Sequence, residues 1–191
     1  MGNRRSVEKA LIHIGAEARI SSDPRVLGSA TGLVLPGVGA FARGMENLRI
    51  GGLAELLRSR VSAGTPLLGI CLGMQLLFDA STELGGADGL GLIPGQVRGI
   101  QAGGLRVPHI GWNDVSLERP AAILETGAPF YHVHSFAAHP DDPADVVGTT
   151  EYGERFTTVV QRDNVYGVQF HPEKSSTDGL ALLKRFAEVA A

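Results

Sequence analysis

The sequence predicts a single α/β domain spanning residues 1–191 and built on an open, largely parallel β-sheet. Three observations lead there. Pro66 to Ile70 is a short, uniformly apolar run bounded by Gly64 and Gly73, the pattern of a strand buried on both faces by flanking helices. Short apolar runs alternate with helical periodicities through the first half of the chain, as in a sheet whose parallel strands are joined by helical crossovers. Thr177 to Ala191 closes the chain with apolar residues at 180, 182, 183, 186, 187 and 190, an amphipathic helix that needs a sheet to cover.

In chain order, Ser6 to Ile14 places Val7, Ala10, Leu11 and Ile14 at helical spacing, with Ser6 as N-cap and Gly15 as stop. Ala18 to Ile20 and Thr31 to Leu35 read as short buried strands, closed by Ser22-Asp23-Pro24 and Pro36-Gly37. Helices are expected at Ala42 to Leu48 and Leu53 to Ala63, and a further one starts after the buried strand, over Leu72 to Phe78. From Leu90 to Val168 the texture turns to short β-like runs separated by Gly and Pro: Val97 to Ile100, Trp112 to Leu117, Phe130 to Phe136, Val146 to Thr150, Phe156 to Val160 and Val165 to Phe170. No repeat or linker divides the chain. A doubly wound domain normally begins with a central strand, whereas helix-forming residues here start almost at Met1. The expectation is a sheet lacking its first strand, with unpaired backbone groups on the strands either side of the gap.

Composition excludes several classes. With 17 basic and 20 acidic residues the net charge is −3, which argues against a nucleic-acid-binding surface. The longest apolar runs are well short of the ~20 residues of a spanning helix, and Met1 to Ala10 is polar where a secretory signal is apolar, so no membrane association is expected. The one cysteine, Cys71, can form neither an internal disulfide nor a thiolate cluster and fits a reducing, cytoplasmic compartment.

That cysteine lies in Gly69-Ile70-Cys71-Leu72-Gly73, where a buried strand gives way to a helix. The segment has the shape of a nucleophile elbow with Cys in the place of Ser. The glycines allow a tight turn that pushes the side chain out of the sheet, and the helix start stabilises a thiolate and offers a backbone donor to an oxyanion. The bland alternative is an inert buried thiol. A thiol nucleophile needs a base, and His171 in Gln169-Phe170-His171-Pro172-Glu173-Lys174 ends the last apolar strand, on the same rim as Cys71. Glu173, two residues on across a rigid proline, is placed to orient the imidazole and favour its protonated form. The remaining histidines, His13, His109, His132, His134 and His139, are expected to be structural or solvated. No third ligand is spaced to make a metal site of His132 and His134, so neither a metal nor a cofactor is expected. Leu35-Pro36-Gly37-Val38-Gly39 leaves a strand into a glycine-rich loop that could bring backbone N–H groups to a ligand. It lacks the spacing of a dinucleotide or Walker loop.

Together, the Pro-Gly-Val-Gly loop, Gly69-Ile70-Cys71-Leu72-Gly73-Met74-Gln75 and the Gln169 to Lys174 block resemble the class I, or triad, glutamine amidotransferases, whose sheet is flavodoxin-like. Further blocks are similar to the glutaminase subunits of imidazole glycerol phosphate synthases of histidine biosynthesis, over essentially the whole chain. They are Gly2-Asn3 with Arg5-Ser6-Val7, Gly39-Ala40-Phe41 with Met45 to Leu48, Gly89 to Gly95, Val107-Pro108-His109-Ile110-Gly111-Trp112-Asn113 and Thr149 to Gly153.

The resemblance implies hydrolysis of glutamine to glutamate and ammonia by Cys71, His171 and Glu173. It implies an oxyanion hole from the N–H groups of Leu72 and, after a peptide flip, Val38. Gly39, Gln75, Glu83, Ser135 and Phe136 would bind glutamine. The implied partner is a (β/α)8-barrel cyclase subunit that receives ammonia through a tunnel, with Asn3, Trp112, Tyr131 and Lys174 at the interface. Two departures stand out: members of the family begin with a strand ending in Gly-x-Gly-Asn, and they usually carry an aromatic residue where this chain has His132. A glutaminase of another synthase and a non-catalytic docking subunit are the alternatives, and the Pro108 to Asn113 block argues against the first.

Overall fold

A computed structural model describes residues 3–191; Met1 and Gly2, which open the N-terminal block, lie outside them. The first helix, α1 (Arg4–His13), begins two residues before the expected Ser6 cap, because the Asn3 carbonyl accepts from both Ser6 N and Val7 N at 3.1 Å and closes the first turn itself. It buries Val7, Ala10 and Leu11, as the periodicity requires. The strand expected at Ala18 to Ile20 does not form. A strand needs a ladder partner, and among the described residues none runs beside this segment; the Ile20 N–H instead donates to the Glu8 carboxylate at 2.9 Å. Where the sequence suggests only a turn, Asp23 caps a short helix, α2 (Pro24–Gly28), with proline at its first position.

Strand β1 (Leu33–Gly37), helices α3 (Phe41–Ile50) and α4 (Leu53–Ser62) and strand β2 (Leu67–Cys71) follow the expected order, and β2 is buried at all five positions. The helix after it, α5, is only Leu72–Gln75 and gives way to β3 (Phe78–Ser81) instead of running to Phe78. The Leu76 and Leu77 carbonyls that would continue it accept from Leu90 N (2.9 Å) and Leu92 N (2.8 Å), so the returning chain captures them. Next come β4 (Ala87–Asp88), β5 (Ile93–Gly99), β6 (His109–Asp114), β7 (Ser116–Leu117), β8 (Pro129–His134), β9 (Phe136–Pro140), β10 (Val146–Tyr152), β11 (Glu154–Arg162), β12 (Val165–Val168) and α6 (Ser176–Val189).

The main sheet runs β1-β2-β12-β11-β9-β5-β3-β4, with β10 and β7 continuing from β11; β6 and β8 form a separate antiparallel pair. Pairing is parallel in β1–β2, β2–β12 and β3–β5. Two runs expected to be single strands each serve both sheets: 112–117 divides into β6 and β7, and 130–136 divides at Ser135 into β8 and β9. No gap interrupts β1-β2-β12. The opening expected inside the sheet lies at its edge, where among the described residues β1 pairs along one side, so the unpaired groups fall on one strand and not on two.

Both faces are covered. Leu68 and Ile70 of β2 pack with Val7, Ala10 and Leu11 of α1 and Leu182, Leu183 and Phe186 of α6. Leu67 faces the other way, among Phe41, Met45 and Leu48 of α3 and Ala54 and Leu57 of α4. This clamps β2 from both sides and fixes where its C-terminal residue, Cys71, emerges.

Candidate active site

Parallel register brings the site together. Gly37 is the ladder partner of Cys71, and Val168 that of Ile70, so the loop after β1, the end of β2 and the segment after β12 leave the sheet at one rim. Cys71 sits at φ 55°, ψ −112°, a left-handed conformation that costs a non-glycine residue stability and is tolerated where packing enforces it. The glycines around it explain how. A Cβ on Gly73 would lie 1.7 Å from the Leu35 carbonyl oxygen, and one on Gly69 would lie 2.7 Å from the Gly73 oxygen and Met74 nitrogen. Only glycine lets β1, β2 and α5 approach this closely. The N–H of Leu72 opens α5 and has no carbonyl partner within the helix.

His171 is anchored before its side chain acts. Its N–H donates to Tyr131 O at 2.9 Å, its carbonyl accepts from the Ser175 hydroxyl at 2.7 Å, and Pro172 starts the 3-10 turn Pro172–Lys174 that carries Glu173. His171 Nδ1 and Glu173 Oε1 are 3.0 Å apart, with the two side chains 2% and 0% exposed. Burial by itself lowers the imidazole pKa, but hydrogen bonds and charge at Cys71 and Glu173 outweigh it and raise the value to about 9. For Glu173, burial pushes the carboxyl up, while bonds from His171 and Asn3 bring it below the usual range. With Nδ1 donating to the carboxylate, Nε2 is the nitrogen left for the cysteine.

A cavity of about 340 Å³ opens at this rim, lined by Cys71 and His171 together with Val38, Gly39, Leu72, Gln75, Glu83, Ser135, Phe136 and Lys174. Every residue expected to form the oxyanion hole or to bind glutamine therefore lines one cavity. Gln75 Nε2 donates to Phe136 O and to Gln169 Oε1, both at 3.0 Å. Glu83 accepts from Phe41 N at 2.7 Å and so fixes the start of α3 directly after the Val38 loop. A cavity of similar size, about 320 Å³, opens beside Glu118, Thr149 and Arg155; Arg155 is already paired with Glu118 there, and none of the expected residues reaches it.

A profile of the class I glutamine amidotransferases matches residues 3–189. The chain belongs to that family. Among its relatives, the imidazole glycerol phosphate synthase subunit HisH of Moorella thermoacetica is 50% identical over 192 residues, covering 99% of this chain and 91% of the relative. The subunit of the same name from Syntrophotalea carbinolica is 47% identical over 198 residues, covering 99% and 96%. The fold agrees: a crystal structure of a glutamine amidotransferase superposes with a TM-score of 0.77 at 23% identity, covering 97% of this chain and 93% of that one. PurLQS from Thermotoga maritima superposes with a TM-score of 0.67 at 18% identity, covering 100% and 94%.

Within this amidotransferase, the residues expected at a partner interface differ in what they touch. Trp112, 55% exposed, meets the Tyr131 ring edge-on at 6.1 Å, and Lys174 Nζ lies 5.9 Å from the centroid of that ring. The three form one patch, and Ile110, on the same strand as Trp112, is also exposed. Asn3 adjoins the residues beside Tyr131 and Lys174: its side-chain nitrogen donates to Glu173 Oε1 at 2.6 Å and lies 3.0 Å from His171 Nδ1. It touches the candidate triad from behind.

The structure also adds residues that the sequence left without a role. Gln169, fully buried, reaches both Gln75 and Cys71; its signal is a polar residue two places before His171 on an extended segment, hence on the same face. His134 and Pro108 line the cavity, and His109 Nδ1 lies 3.1 Å from His134 Nε2. His132 is buried and doubly bonded, to Phe130 O and the Thr158 hydroxyl, each at 3.0 Å. Burial first, then the neighbouring histidines, depress the pKa of His132 to about 3. His134 is likewise depressed to about 3, mainly by burial.

Proposed function

We propose that this chain is the glutaminase of an imidazole glycerol phosphate synthase, hydrolysing glutamine at Cys71 and passing ammonia to a (β/α)8-barrel cyclase partner. The observation that carries the reading is the convergence on one cavity of a strained Cys71, a His171 whose Nδ1 lies 3.0 Å from a buried Glu173 carboxylate, and the residues expected to bind glutamine. The relatives' names support the choice of synthase.

The geometry performs two chemical half-reactions. In the first, the Cys71 thiolate attacks the side-chain amide carbon of glutamine. Charge develops on the amide oxygen, which the N–H groups of Leu72 and Val38 receive. The C–N bond breaks as His171 Nε2 delivers its proton to the departing nitrogen, releasing ammonia and leaving a thioester on Cys71. In the second, His171 takes a proton from water, the hydroxide attacks the thioester, and glutamate leaves as the thiolate is restored. Glu173 keeps Nδ1 protonated throughout, so Nε2 alone exchanges the proton. Gln75 has both amide hydrogens committed to Phe136 O and Gln169 Oε1, so it offers the substrate an acceptor, suited to the ammonium end of an amino acid. The patch of Trp112, Tyr131 and Lys174 borders the cavity through Lys174 and is the proposed docking face for the cyclase.

The test is glutamate release by the purified chain with and without the cyclase. Turnover that requires the cyclase and disappears in Cys71→Ala supports the reading. Docking without turnover would assign the chain a non-catalytic role instead.

A further inference from the structure

The side-chain amide of Gln169 lies between the nucleophile and the glutamine-binding wall. The residue is completely buried, directly after β12 and two positions before His171. Its Nε2 is 3.8 Å from Cys71 Sγ, and its Oε1 accepts from Gln75 Nε2 at 3.0 Å.

The direction of these bonds is not free. A backbone carbonyl can only accept, so Phe136 O requires Gln75 to present its NH2 group. That NH2 group also faces Gln169, which must answer with Oε1. The Gln169 NH2 group is then turned toward sulfur. The polarity of the chain Phe136–Gln75–Gln169–Cys71 is thus fixed by its one obligatory acceptor, and it ends on a donor.

Cys71 Sγ has a second neighbour of opposite character, the Val133 carbonyl oxygen, also at 3.8 Å. A neutral thiol can donate to Val133 O, whereas a thiolate can only accept, and among the described residues the Gln169 N–H is the side-chain donor besides His171 that meets it. We propose that Gln169 is a positioning residue for the nucleophile: its N–H holds the Cys71 sulfur as a thiolate turned away from Val133 O, while its Oε1 ties that state to the placement of Gln75 in the glutamine pocket. This deepens the glutaminase reading and rests on Cys71 being its nucleophile. It accounts for an uncharged amide in a place where a carboxylate would repel the thiolate and an aliphatic side chain would leave the Gln75 N–H without a partner.

The experiment compares Gln169→Met and Gln169→Glu with the unaltered chain in two readouts. In the first, Cys71, the one cysteine of the sequence, is alkylated with iodoacetamide and followed by mass spectrometry. At neutral pH both variants should react roughly tenfold or more slowly, the effect of losing one hydrogen bond to a charged group. In alkaline buffer, where base generates the thiolate unaided, the difference should vanish. In the second, glutaminase kinetics in the cyclase complex should show Gln169→Met losing mainly kcat, because the sulfur is misplaced more than the pocket. Gln169→Glu preserves the shape of the buried side chain, so if Gln169→Met fails to fold, that variant alone decides. Alkylation within twofold of the unaltered chain at neutral pH would overturn the proposal, as would a deficit that persists unchanged in alkaline buffer, which would mean blocked access. Because alkylation needs no glutamine, an inactive complex with a Gln169-dependent thiol would contradict the glutaminase reading and leave the thiolate assignment standing.

Discussion

Asn3 and Glu173 stand 170 positions apart in the sequence and are joined by a 2.6 Å hydrogen bond. The bond fastens the start of α1 to the group that orients His171, so the N-terminal helix takes part in holding the candidate triad. A charged acceptor gains more from a donor than a neutral one, and Glu173 has no other side-chain donor than His171 and Asn3 among the described residues. Asn3→Ala should therefore lower kcat by roughly tenfold, the scale of one such bond, with little change in KM. Asn3→Asp should be worse, since a second carboxylate would face Glu173 Oε1. Steady-state kinetics of the cyclase complex check both. Equal rates in Asn3→Ala and the unaltered chain would show that His171 alone keeps Glu173 in place.

Removing the proposed nucleophile should separate glutamine hydrolysis from ammonia use in the proposed cyclase complex. Cys71→Ala and Cys71→Ser should abolish glutamine-dependent synthesis by the proposed complex while leaving synthesis from added ammonia intact, because added ammonia bypasses the step proposed for Cys71. Glu173→Gln should reduce glutamine hydrolysis less than His171→Ala does, since an orienting group contributes less than the proton carrier. Glutamate formation by Cys71→Ala would refute the assignment of the nucleophile.

Stability should peak near neutral pH, for reasons that can be assigned to residues. His132 and His134 are held neutral to about pH 3, whereas an unfolded histidine titrates near ~6.5. Between those values the unfolded chain binds more protons, so stability falls as pH drops through that window, by up to ~1.4 kcal/mol per unit per group. His171 works in the opposite sense. Its pKa is raised to about 9, so its contribution is fully present below ~6.5 and is lost as pH rises through about 9. Thermal unfolding against pH should show His132→Phe flattening the acid limb and His171→Ala flattening the alkaline one. An acid limb in His132→Phe as steep as in the unaltered chain would exclude His132 as a cause of acid lability.

These residues also show what the sequence makes legible. The elbow at Cys71 and the pair His171 and Glu173 can be read because each depends on a local signal: glycines bracketing a thiol after a buried run, and a proline rigidly separating base and carboxylate. That all of them open into one cavity requires only the rule that parallel strands end on a common rim. The segment Ala18 to Ile20 misleads, because its apolar residues are compatible with a strand and the ladder partner that decides is a tertiary fact. The early end of α5 is similar, since the carbonyls of Leu76 and Leu77 are captured by residues 90–92, far along the chain. The contacts of Asn3 and Gln169 with the triad escape the sequence because their partners lie 170 and 98 positions away, and no spacing rule reaches that far.

Two glycines of the site should respond to alanine in opposite degrees, and the contrast tests how the elbow is built. A Cβ on Gly73 would sit 1.7 Å from the Leu35 carbonyl oxygen. The obstacle is backbone on both sides, with no flexible side chain to move aside, so β1 would have to separate from α5 and loosen the ladder that pairs Gly37 with Cys71. Gly73→Ala should be destabilising at the high end for a single substitution, above ~4 kcal/mol, with loss of soluble protein as a practical sign. Gly39 differs: it lies at φ 100° with nothing within 4 Å of where a Cβ would stand, so alanine there meets open space and only the left-handed strain of ~1 to 2 kcal/mol. Gly39→Ala should remain folded with a small drop in melting temperature. Its effect should fall instead on catalysis, because the strain falls on the Val38–Gly39 peptide, next to the Gly37–Val38 peptide whose N–H is the proposed second oxyanion donor. Loss of one such donor costs ~10² to 10³ in rate, and a loss of that order in kcat, with thermal unfolding nearly unchanged, is the expected result. If Gly39→Ala turns over glutamine at the full rate in the cyclase complex, the Val38 loop does not shape the oxyanion hole; if Gly73→Ala folds as stably as the unaltered chain, the contact between β1 and the elbow is not what holds Cys71 in its strained conformation.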